Sequence, residues 1–87
     1  MIAVKKLNDT TYEVNVAGRT PTSHKVTLST AYYQEITGGK VSPEQLIEVS
    51  FRFLLERESN TSILRSFDLP LIGQYFPEYE GEMRKRI

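Results

Sequence analysis

Few side chains in this chain are equipped for chemistry. His24 is the only histidine, and cysteine is absent. Disulfides, thiolate catalysis and cysteine metal sites are therefore excluded, as is any multi-histidine metal site within one chain. A lone histidine can serve as a general base, with Ser23, Ser29 or Ser62 as its nucleophile. None of those serines lies in a nucleophile-elbow pattern. His24 shares the parity of Val26 and Leu28, which reads as a strand-end residue at the rim of a core.

Three other clusters invite a chemical reading. Thr37-Gly38-Gly39-Lys40 places glycines and a lysine before a helix, but Val41 and Ser42 intervene where a phosphate loop opens its helix directly. It reads as a helix stop followed by a helix start. Glu78, Glu80 and Glu82, with Asp68 nearby, offer hard-cation ligands. Residues two apart on a helix point in different directions, so these read as a solvated first half of a helix. Arg84-Lys85-Arg86 is a short basic tip behind those glutamates, too small for a nucleic-acid footprint. Tyr75, Phe76 and Tyr79 fall at helical spacing beside Leu71 and Ile72, which favours core packing over base stacking. No catalytic, cofactor or metal site emerges, and no enzyme is expected.

The elements that must position these residues follow from periodicity. Eighty-seven residues form one domain, 1–87, in which burial and chain ordering nearly cancel. The first third alternates with period two, predicting three short antiparallel strands near 2–7, 11–17 and 23–29. From residue 29 the period becomes helical. A short helix over 30–36 ends at Gly38-Gly39, whose first glycine is expected to need a positive φ. Ser42-Pro43-Glu44-Gln45 combines a cap serine, a first-turn proline and a reciprocal glutamine, predicting a helix from Pro43 to about Arg57. Ser59-Asn60-Thr61 predicts a short helix through Phe67. Asp68 is the expected cap of another, with Pro70 in its first turn, and Pro77 to Arg86 forms the last. The class is α+β: a small sheet followed by short helices around a central helix over 43–57.

That central helix is the most informative element. Leu46, Val49 and Phe53 cluster around one direction, and Ile47, Phe51, Leu54 and Leu55 about 120° away. An ordinary surface helix has one apolar stripe. This one needs cover on two sides, from the sheet and from either the C-terminal helices or a second subunit. Leu46, Val49 and Phe53 are thus candidate interface residues, and a homodimer is expected. Ser50 and Arg57 share the direction of Leu46 and Phe53. Arg57, near the helix C-terminus, reads either as a snorkelling side chain that favours the helix dipole or, with Ser50, as a candidate buried polar pair with Asp68 or Glu78 as the carboxylate for Arg57.

Several segments resemble a family of short bacterial proteins with no established function. They are Tyr32, Thr37-Gly38-Gly39, Ser42-Pro43-Glu44, Ser50 to Glu58, Phe67-Asp68-Leu69-Pro70 and Tyr75-Phe76-Pro77-Glu78-Tyr79. The resemblance spans about residues 23–87. It implies a bacterial cytosolic source and assigns no role to any residue.

Lysines 5 and 6 interrupt the N-terminal apolar run before a signal-peptide core forms, and no stretch reaches a membrane span. The expectation is a cytoplasmic, non-enzymatic interaction module that self-associates and serves a protein partner. Asn8-Asp9-Thr10 and Asn60-Thr61-Ser62 are then chance glycosylation triplets. The alternative is a weak nucleic-acid binder or regulatory accessory protein using Lys5, Lys6, Arg19, Lys25 and Lys40. The balance of eleven basic and eleven acidic residues argues against it.

Overall fold

A computed structural model describes residues 1–87. Strands β1 (Ile2–Lys6), β2 (Thr11–Val16) and β3 (Thr22–Thr27) form an antiparallel meander. Helices α1 (Thr30–Thr37) and α2 (Pro43–Leu55) follow. A single 3₁₀ turn at Asn60–Ser62 leads into β4 (Ser66–Asp68), then α3 (Leu71–Tyr75) and α4 (Tyr79–Arg86). The fold is α+β, with one mixed sheet of order β1-β2-β3-β4.

The alternation in the first third acts as expected. Tyr12, Val14, Val16 and Val26 point into the core, while Ala3, Lys5, Asn15 and Lys25 point outward. The β1–β2 turn closes through Asn8, whose side-chain oxygen accepts from the Thr10 amide at 3.0 Å. At the α1–α2 junction, Gly38 has φ +60° and its amide donates to the Gln34 carbonyl, so the left-handed stop is real. Ser42 and Gln45 form the reciprocal cap at the start of α2.

Three expectations about the second half need correction. The segment from Ser59 to Phe67 is not a helix. Only Asn60–Ser62 turns, and Phe67 lies in β4, a fourth strand that pairs parallel to β3. Ile63, Phe67 and Leu69 face inward at even spacing, a strand pattern that Arg65 interrupts. Asp68 ends that strand instead of capping a helix; Pro70 occupies the cap position of α3. Finally, α2 ends at Leu55, so Arg57 lies beyond it.

Helix α2 lies in the middle of the molecule and is covered on both sides within one chain. Phe51 meets the sheet side, 5.4 Å from the His24 ring and 6.1 Å from Phe67. Phe53 meets the other side, edge-on to Tyr79 at 5.4 Å and to Phe76 at 5.8 Å. Leu46 and Phe53 are fully buried there, so neither is available to a second subunit.

Ser50 is buried at the centre of the α2–α4 contact. Its hydroxyl donates to the Leu46 carbonyl at 2.7 Å and accepts from the Tyr79 hydroxyl at 2.6 Å. Burial holds the Tyr79 phenol well above its ordinary range, so it stays a neutral donor. Ser50 and Arg57 therefore do not pair with each other. The Arg57 guanidinium lies 3.6 Å above the Phe53 ring and reaches Glu78 at 3.1 Å, with its side chain 26 % exposed and that of Glu78 50 % exposed. The pair with Glu78 exists, but it is half-solvated and not buried. Arg86 completes the clamp with two bonds to Glu56, at 2.7 and 2.9 Å.

Two outcomes follow from this arrangement. Ser50→Ala should cost about 2 kcal/mol, because the buried Tyr79 hydroxyl loses its acceptor. Adding Tyr79→Phe should recover part of that loss, and chemical denaturation of both variants would show it. The hydrogen bonds from Arg86 hold the Glu56 carboxyl below the ordinary glutamate value. A carboxylate depressed by folding stabilises the fold above its unfolded pKa and loses that contribution as pH falls through the folded one. Melts of Glu56→Gln across an acid pH series should therefore show a shallower acid decline than the parent.

Candidate functional site

Burial of His24 determines where the candidate site lies. The ring is buried at the centre of β3 and not at the rim of the core. The Leu64 carbonyl, 2.8 Å from Nδ1, can only accept, so Nδ1 carries the proton. Nε2 then accepts from the Thr22 hydroxyl at 2.8 Å. Thr22 in turn accepts from the Asn60 side-chain amide at 3.0 Å, and Asn60 also donates to the Thr20 carbonyl at 2.8 Å. Both ring nitrogens are thus engaged within the fold: Nδ1 holds Leu64 against β3 directly, and Nε2 holds the Thr22 hydroxyl to which Asn60 bonds. No serine hydroxyl is among their partners.

With its carbonyl turned inward to His24, Leu64 projects its side chain outward. It is 48 % exposed, on the wall of a groove of about 270 Å³. The end of α2 contributes Leu54 to the groove, the segment that follows it contributes Glu58, and β4 contributes Phe67. Helix α3 supplies Leu71 and Tyr75, the latter 65 % exposed. Eight of the ten lining residues are apolar, and Glu58 is the only charged one. Glu58 is half-buried and forms no ion pair. Two large exposed apolar side chains beside a concave apolar surface are the arrangement that binding sites share.

The residues singled out from the sequence lie elsewhere. Leu46, Phe53 and Ser50 are internal, and Val49 is half-buried on α2. Arg57 is engaged with Phe53 and Glu78. The basic candidates do not form one patch. Lys5 and Lys25 share the outer sheet face, but Glu13 lies between them in register. Lys6 lies at the far end of that sheet from the turn carrying Arg19, and Lys40 lies in the α1–α2 turn. The sheet aromatics Tyr12 and Phe67 face inward, so that face has no ring on which a base could stack. Glu80 accepts from the Tyr32 hydroxyl at 2.9 Å, and Glu82 pairs with Lys85 and Arg86, so these glutamates are structural.

Sequence reasoning missed Leu64 and Phe67, and it placed Tyr75 in the core with Phe76 and Tyr79, whereas Tyr75 is exposed and only Tyr79 is fully buried. The available signal was an excess of apolar residues from Ile63 to Phe76 over what elements this short can bury, obscured by the helical reading of 59–67.

If His24 holds the groove wall in place, His24→Leu leaves the Leu64 carbonyl without a donor and the Thr22 hydroxyl without an acceptor for its proton. It should cost about 2–3 kcal/mol. Amide exchange should accelerate in residues 60–65 more than in the β1–β2 hairpin, and exchange measured by NMR would show the contrast. Compared with known proteins, the chain matches no family model, no curated protein and no solved structure. No helix is long and apolar enough to cross a membrane.

Proposed function

We propose that the protein is a cytoplasmic, non-enzymatic interaction module that presents the groove between α2, β4 and α3 to a protein partner. The observation that carries this reading is the exposure of Leu64 and Tyr75 on the walls of a largely apolar groove. A few residues carry most of the binding energy of a protein interface, and tyrosine is among the types enriched there. A non-enzymatic role is supported by His24, whose two nitrogens are both committed to the fold.

The sequence argument for self-association rests on α2 being apolar on two sides. With α4 covering the second side, the two apolar faces of α2 no longer argue for a homodimer. The nucleic-acid alternative loses support from the alternation of Lys5, Glu13 and Lys25 across the outer face.

Affinity capture from lysate of the source cell tests the reading. Wild-type protein should retain a defined partner, and a Leu64→Glu/Tyr75→Ser variant should lose it while keeping its melting temperature within a few degrees, since both residues are solvent-facing. Capture of the same partner by both forms would place the interaction elsewhere on the molecule.

A further inference from the structure

Strand β4 is one edge of the sheet, and its parallel register determines which backbone groups remain free. The Lys25 amide donates to the Arg65 carbonyl at 2.7 Å, and the Leu69 amide donates to the Thr27 carbonyl at 2.9 Å. In a parallel ladder, alternate residues turn their amide and carbonyl toward the neighbour. Arg65, Phe67 and Leu69 therefore face β3. Ser66 and Asp68, both exposed, direct theirs outward from an edge that no further strand covers.

The apolar groove begins on the inner side of that same edge, where the Phe67 side chain enters it. Open backbone groups beside side-chain pockets are the two halves of recognition by strand addition. The charge of the groove specifies the occupant further. Glu58 is a half-buried carboxylate without a cation, set among eight apolar residues. A basic side chain arriving from a partner would supply the missing countercharge.

We infer that the groove takes an extended peptide segment that adds to β4 as a fifth strand, places alternate apolar side chains against Leu64, Phe67 and Tyr75, and pairs a lysine or arginine with Glu58. This rests on the groove being the partner surface and adds the conformation and charge of what binds there. Main-chain bonds to Ser66 and Asp68 alone are too few to hold a ligand, because β4 has only three residues. Affinity and specificity come from the groove. The short edge limits indiscriminate strand pairing, as short edges do in other sheets.

The test uses a displayed library of random linear peptides selected on the immobilised full chain. Selected peptides should share apolar residues at every second position and a basic residue. Selection on the Glu58→Lys variant should replace that basic residue with an acidic one. Bound to the wild-type protein, a selected peptide should slow exchange of the Ser66 and Asp68 amides about tenfold, with little change at Phe67, whose amide already faces β3. Failure to enrich any motif overturns the inference, as do apolar residues at helical spacing or unchanged exchange at Ser66 and Asp68. A doubled mass in solution, with those amides protected in the absence of peptide, would assign the edge to a second copy and overturn it as well. Groove-dependent lysate capture with none of the peptide results sinks strand addition alone. Capture that ignores Leu64 and Tyr75 sinks the partner surface itself.

Discussion

Burial of α2 on two sides is the constraint from which the rest of the architecture follows. A helix whose apolar residues occupy most of its circumference leaves part of them in water unless two separate layers cover it. The sheet is one layer and meets Phe51. Helix α4 is the other and meets Phe53 and Ser50. The hydrogen bond from Tyr79 to Ser50 fixes where α4 lands, because a polar atom inside that contact is costly anywhere its partner is absent. Around it, Arg57 and Arg86 secure both ends of α4 through half-exposed carboxylates. These pairs position the helix more than they stabilise it.

How much of this was legible in the sequence depended on the range of the interactions involved. The β1–β2–β3 meander was readable because its strands are adjacent in sequence and alternate cleanly. Its buried histidine was misplaced at the core rim, since parity gives the direction of a side chain and not the depth of what covers it. The start of α2 was readable because Ser42, Pro43 and Gln45 act within one turn. Two-sided burial of α2 was also visible, but periodicity could not say whether α4 or a second chain supplied the second layer.

The failures lie where distant segments decide. Residues 63–69 have too few positions to distinguish a short strand from a helical turn. Their pairing with β3 depends on a ladder formed across all of α1 and α2. Asp68 resembles a helix cap in isolation, but the Leu69 amide is drawn to Thr27 and commits the chain to β-structure first. The groove was invisible for the same reason: Leu64, Phe67 and Tyr75 meet only once β4 is placed. Leu64 in turn owes its outward side chain to a histidine 40 residues earlier.

The separation between β3 and β4 also bears on the order of assembly. Hairpins close over a few residues and form early, whereas a parallel ladder that spans two helices pays its loop-closure entropy late. The 3₁₀ turn and β4 reach the meander through the three-residue β3–β4 ladder and the bonds of His24 and Asn60, and segments held by so few bonds are the kind that open while a paired meander stays closed. The groove belongs to this late-forming unit, to α3 and to the end of α2. The groove is therefore coupled to folding: a ligand bound there would shift the opening equilibrium of that unit, and loosening the unit would dismantle the groove.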